Sequence, residues 1–252
     1  MKLYIVDDYN AMSKKAADIV SMQIKTKQNS VIGLATGSTP IGMYKELIKM
    51  HRKEKLDFSK IKTFNLDEYY KIHPQDNQSY RYYMMKNFFN HINIDHNNIN
   101  IPNGMTNDTE RECKLYEEKI QESGGIDLQI LGIGTNAHIG FNEPNNKFEP
   151  YTHLVNLDKN TIKSNSRFFR SVEDVPAKAI SMGIKTIMSS RKILLLANGD
   201  NKAQAIFESL KGPIVPQVPG SILQLHKDLT VIIDKKAARY LEVEKTAATT
   251  SL

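Results

Sequence analysis

Short apolar runs, rich in Val, Ile and Leu, alternate along this chain with longer stretches of helical period, and this alternation constrains the fold more than any other feature. The runs are "KLYIV" (2–6), "SVIGLA" (30–35), "KIKTFNL" (60–66), "DLQILGIG" (127–134), "KILLLANG" (192–199) and "LTVIID" (229–234). Between the first two, Met12, Ala16, Ile19, Val20 and Ile24 recur at helical spacing, and after the second Ile41, Tyr44, Leu47 and Ile48 share one face. Near-continuous apolar strands separated by helices of ten or more residues imply a mostly parallel sheet covered on both faces. No repeat, low-complexity tract or linker interrupts the pattern, so residues 1–252 are expected to form a single α/β domain.

In open sheets of this kind ligands bind beyond the carboxyl ends of the strands. The residues found there are Thr36-Gly37-Ser38-Thr39, Asp67-Glu68, Asn136-Ala137-His138 and Asn198-Gly199. All are small or polar and all would open onto one rim, which favours an enzyme or a small-ligand binder over a structural domain. Composition narrows the partner. Lys and Arg number 34 against 28 Asp and Glu, a net charge of +6, but the cations are scattered, which suits a solvated basic surface better than a nucleic-acid face; an anionic small molecule fits the charge equally well. No transmembrane span or secretory leader is visible, and the single Cys113 excludes an intramolecular disulfide, so a cytoplasmic location is expected.

"ATGSTP" leaves a strand and enters a helix at Pro40, whose missing N–H is harmless in a first turn. Free backbone N–H groups at Gly37, Ser38 and Thr39, with two hydroxyls and the helix dipole, make either an anion site or an ordinary capped turn. The lysine of the nucleotide-binding loop is missing. Arg167 and Lys202 are later cations that could join an anion there. Asp67, at a strand end, is either a partly desolvated general base or a helix cap. His138 and Glu143 share a loop outside any helical period, where Glu143 and Asn136 could fix the imidazole's tautomer. The histidines at 51, 73, 91, 96, 138, 153 and 226 show no zinc-like spacing, and no metal site is expected.

Together "ATGSTP", "FNLDEYY", "SYRYYMMKNFF", "YEEKI", "GIGTNAHIGFNEP", "NSRFF" and "ILQLH" resemble the glucosamine-6-phosphate deaminases, of the glucosamine/galactosamine-6-phosphate isomerase family, in order and spacing over nearly the whole chain. The resemblance implies a modified Rossmann-like α/β/α sandwich that converts glucosamine 6-phosphate to fructose 6-phosphate and ammonia without metal or organic cofactor. It implies that Asp67 moves the proton between the amine-bearing carbon and the carbonyl carbon. His138, supported by Glu143 and Asn136, would help to open the sugar ring. Gly37, Ser38, Thr39, Arg167 and Lys202 would hold the phosphate, and residues from about 152 to 182 would form a mobile lid.

Two departures from the pattern carry expectations of their own. Asn136 stands where better-known members have aspartate; its amide oxygen could still accept from a ring N–H, leaving Glu143 to supply the charge. Where allosteric members carry cations after the "FNEP" loop, this chain has "YTHLV", with His153 and Val155, so no effector site is expected. Monomer and homo-oligomer both stay open. The rivals are a 6-phosphogluconolactonase-like hydrolase, whose loop tends toward "DGHTASLFP" and lacks the glutamate, and a non-catalytic sugar-phosphate sensor. A sensor would carry a DNA-binding module that this sequence does not show, and would need neither Asp67 nor His138.

Overall fold

The apolar runs become strands in the computed structural model, which describes residues 1–158, 161–163, 166, 169 and 171–241. In chain order the elements are β1 (Lys2–Val6), α1 (Tyr9–Thr26), β2 (Val31–Leu34), α2 (Ile41–Glu54), β3 (Lys62–Asn65), β4 (Asp67–Tyr69), α3 (Tyr80–Asn87), β5 (Ile99–Asn100) and α4 (Thr109–Glu122). There follow β6 (Leu128–Leu131), β7 (His153–Asn156), β8 (Lys178–Ser181), α5 (Ile184–Met188), β9 (Ile193–Ala197), α6 (Ala203–Lys211) and β10 (Leu229–Asp234). The main sheet is ordered β1-β10-β9-β6-β2-β3-β5 and all its pairings are parallel.

The two-residue period of each strand divides the core into two layers. Ile32, Leu34, Ile130, Leu194, Leu196 and Ile232 face α1, α2 and α3. Their neighbours Val31, Phe64, Leu131, Leu195, Val231 and Ile233 face the opposite layer, with α4, α5 and α6. Helix starts are fixed by side chains: Asp8 accepts from the Ala11 N–H at 2.8 Å, Ser79 from Tyr82 at 3.0 Å and Asp108 from Arg111 at 3.0 Å. No helix among the described residues is long and apolar enough to cross a membrane.

Strand order reverses between β2 and β6. From β2 the chain builds outward through β3 to β5, then returns through α4 to β6 on the other side and continues outward through β9. A crevice at the carboxyl ends of β2 and β6 is therefore where a ligand is expected.

A second sheet, β4-β8-β7, is antiparallel and has no counterpart in the strand reading. The run 60–66, expected to be one strand ending at Asp67, leaves the main sheet at Asn65. Leu66 makes its N–H bond to Leu34 of β2 at 3.0 Å, and Asp67 then opens β4 opposite Ser181 of β8. The stretch expected to cover the site, 152–182, has strands β7 and β8 near its two ends, and Ala179, Ile180 and Ser181 are fully buried.

Candidate functional site

Three segments meet at the reversal of strand order: the turn after β2, the start of β4 and the loop after β6. After β2, Gly37 adopts φ +93° and the N–H groups of Gly37, Ser38 and Thr39 make no hydrogen bond to any described residue. The Thr39 hydroxyl donates to Asn198 Oδ1 at 3.2 Å, joining this turn to the end of β9. Lys202 follows on the short turn Asp200–Lys202 that leads into α6. Thus the structure brings the 37–39 turn and the strand end preceding Lys202 together, while Arg167 lies outside the described residues.

Asp67 is 6% exposed, and among the described residues no donor reaches its carboxylate. Burial and the neighbouring charge of Glu68 push its carboxyl from 3.8 up to about 8. Glu68 instead joins Ser79 in holding the first N–H groups of α3, a role the sequence did not reveal. Its Oε1 accepts from the N–H of Tyr69 within β4 and from Tyr80, and its Oε2 from Arg81, each at 2.9 Å, the last two at the start of α3. Burial still lifts Glu68 to about 7 against those three donors. Donors favour the charged form, so Glu68 ionises ahead of Asp67 and its charge then resists the ionisation of Asp67.

The loop after β6 is shaped around His138. A Cβ on Gly134 would lie 2.5 Å from Cε1 and Nδ1 of the imidazole, so only glycine lets the ring lie against the backbone there. The chain turns through Ala137 at φ +64° and Gly140 at φ +59°. The fold of the loop is held by Asn142, whose amide donates to the Ile139 and Met182 carbonyls, both at 2.8 Å. Phe141 donates its N–H to the Ser181 hydroxyl at 3.0 Å. A Cβ on Gly140 would be 3.1 Å from Ser181 Oγ and 3.8 Å from Asp67 Oδ2. Glycine at 140 thus suits the positive φ and the close approach to Ser181, and it places the histidine loop beside the buried carboxylate.

Glu143 Oε2 faces His138 Nδ1 at 3.2 Å and accepts from the Asn136 amide at 2.8 Å. Its other oxygen accepts from the Thr161 hydroxyl at 2.6 Å. Burial alone would raise the Glu143 carboxyl, but His138, Thr161 and Asn136 together hold it below its usual value of 4.5. The expected bond from a ring N–H to the Asn136 amide oxygen is not formed. That oxygen accepts the backbone N–H of His138 at 3.3 Å, because the amide's donor side is drawn to a carboxylate that can only accept. Asn136 thus reaches the ring through Glu143. Thr161 lay too far along the chain for sequence spacing to connect it with this loop.

Beyond Glu143, His153 and Val155 help line a cavity of about 430 Å³. Lys147, also on its wall, is 2.8 Å from Glu149. Among the described residues no cluster of three or more His, Cys, Asp or Glu side chains forms a potential metal site.

Known proteins are similar to this chain in sequence and in fold. The family model described as glucosamine-6-phosphate isomerases/6-phosphogluconolactonase matches residues 7–232. A glucosamine-6-phosphate deaminase of Clostridium botulinum (strain Loch Maree / Type A3) is 62% identical over 244 residues, 97% of this chain and 100% of the relative. One of Clostridium novyi (strain NT) is 64% identical over 241 residues, 96% and 100% of the two chains. The solved structure of a monomeric glucosamine-6-phosphate deaminase superposes with a TM-score of 0.93 at 46% identity, covering 95% of this chain and 99% of that one. A 6-phosphogluconolactonase from Trypanosoma cruzi shares the fold, with a TM-score of 0.76 at 17% identity over 95% and 96% of the chains. Matched along almost its whole length, the chain belongs to the glucosamine-6-phosphate isomerase/6-phosphogluconolactonase family.

Proposed function

We propose that this chain isomerises and deaminates glucosamine 6-phosphate, releasing fructose 6-phosphate and ammonia. The observation that carries the reading is Asp67, buried and without a donor among the described residues, set beside the loop that holds the His138–Glu143 pair, at the reversal of strand order where the turn 37–39 also lies. Relatives named as glucosamine-6-phosphate deaminases at 62% and 64% identity support it. The lactonase reading rests on fold alone at 17% identity.

In this reading the phosphate sits on Gly37, Ser38 and Thr39, with Lys202 and Arg167 as cations, and supplies binding energy remote from the reacting carbons. The cyclic sugar has no free carbonyl. His138, oriented by Glu143, carries a proton to the ring oxygen and opens the ring to the C1 aldehyde. Asp67 removes the proton from the amine-bearing C2, giving an enolamine, and returns it to C1. The resulting C2 imine adds water and expels ammonia, leaving the ketone. The substrate's own carbonyl is the electron sink throughout. Asn136 and Thr161 hold Glu143 charged, and the described part of 152–182 contributes Thr161 to that work. Without the cations expected of an effector site, we propose simple hyperbolic saturation.

The test is ammonia release from glucosamine 6-phosphate with fructose 6-phosphate measured in parallel, Asp67→Asn run alongside. Equal amounts of both products from the parent and none from the variant are expected. A folded parent that releases no ammonia refutes the proposal.

A further inference from the structure

Two tyrosines from different helices grip the carbonyl side of the 37–39 turn. The Tyr83 hydroxyl, on α3, donates to the Gly37 carbonyl at 2.5 Å. Tyr9, the first residue of α1, accepts the Gly42 N–H at 2.7 Å, so its own proton is directed to the Ser38 carbonyl, 3.1 Å away. In a trans peptide the C=O and the following N–H point in opposite directions. Drawing the Gly37 and Ser38 carbonyls toward α3 and α1 therefore turns the N–H groups of Ser38 and Thr39 away from those helices. Neither N–H bonds to a described residue. A carbonyl left free to swing into the turn would instead oppose an anion with its negative end. Burial, with Tyr9 nearby, pushes the Tyr83 phenol well up, which keeps it a donor at any working pH.

We propose that Tyr9 and Tyr83 are positioning residues for a bound phosphate group: their hydroxyls hold back the two carbonyls of the turn so that its N–H groups are already aimed at the anion. This deepens the phosphate-site part of the proposed function and rests on it. The rigidity is present before the ligand arrives, so its effect should appear in binding.

Tyr83→Phe and Tyr9→Phe keep the rings and remove the hydroxyls. The affinity for inorganic phosphate is measured by titration calorimetry, and KM and kcat for ammonia release are measured with glucosamine 6-phosphate. A lost hydrogen bond of ordinary strength should weaken phosphate binding and raise KM by about three- to tenfold in each variant, with kcat falling by less than KM rises. Unchanged phosphate affinity in both variants overturns the proposal. So does a loss confined to kcat, or a parent that does not bind inorganic phosphate at all. If the parent binds phosphate, the variants bind it more weakly and no ammonia is released, the deaminase reading fails while the tyrosines keep this role. Should a variant not fold, the ¹⁵N-labelled parent decides: phosphate must shift the Ser38 and Thr39 amide resonances, and their staying in place overturns the idea.

Discussion

Asp67→Asn should abolish ammonia release while making the folded chain more stable, and the gain should depend on pH in a defined way. Burial and Glu68 hold the Asp67 carboxyl at about 8, against 3.8 when exposed. Below 3.8 folded and unfolded chains both keep this proton. Between 3.8 and about 8 the unfolded chain releases it and the folded chain does not, so stability is lost as pH rises through that window. At about 1.4 kcal/mol per pH unit the full loss is about 6 kcal/mol. For a chain of this size that corresponds to roughly 12–24 °C in Tm. Asparagine has the same shape and cannot ionise. Its amide also lacks a partner, as the protonated acid does, so the two proteins should melt together near pH 4. Thermal unfolding followed by circular dichroism from pH 4 to pH 9 would show the gap open steadily between about pH 4 and 8 and then level off. A gap that is independent of pH, or an asparagine variant that melts lower at pH 8.5, would refute the burial account of Asp67.

For the parent, kcat/KM should rise with pH as Asp67 ionises near 8, and Glu68→Gln, by removing the neighbouring negative charge, should move that inflection to lower pH. An inflection that stays put or rises counts against Asp67 as the base. Asn136→Asp replaces the amide that lies 2.8 Å from Glu143 with a second carboxylate; one of the two should then retain a proton to a higher pH, shifting the pH–rate profile. An unmoved profile would mean that Asn136 does not act through Glu143. Gly134→Ala places a methyl 2.5 Å from the imidazole and should cost about a hundredfold in kcat through misplacement of His138, with KM changed far less. A fully active alanine variant would place the imidazole outside the reaction.

How much of this was legible beforehand follows from how far each signal extends along the chain. The parallel strands were visible because burial on both faces leaves an unbroken apolar run, as in "ILLLA" of β9, where every residue is buried. The antiparallel sheet was not, because "DEY", "HLVN" and "KAIS" are too short and too mixed to show a two-residue period. The loop carrying His138 and Glu143 was readable as one local segment. Thr161, 18 residues beyond Glu143, and Tyr83, 46 beyond Gly37, are brought in by tertiary packing, which leaves no mark in local spacing. The expected bond from the ring to Asn136 went astray for a related reason. It matched a donor to an acceptor in sequence, whereas the fold offered the amide a carboxylate as the stronger partner.

The second sheet also explains how a base can be both buried and within reach of a substrate. Had β3 simply run on, residue 67 would have projected past the sheet into solvent, and its carboxyl would have kept an ordinary value. Instead Leu66 is tied on both sides, its N–H to Leu34 of the main sheet at 3.0 Å and its carbonyl to the N–H of Met182 at 2.8 Å, and the chain passes between the two sheets at that point. Asp67 emerges opposite Ser181, under Gly140, with protein on most sides. Desolvation there raises the energy of the carboxylate, and hence its basicity, without a hydrogen bond from any described residue that would quench it. The neighbouring Glu68, spent on the start of α3, supplies both the rigidity and the like charge. On this account the crossing between the sheets is what tunes the base. A change that loosened Leu66 from either partner should lower the carboxyl's value and blunt catalysis even though no reacting group had been touched.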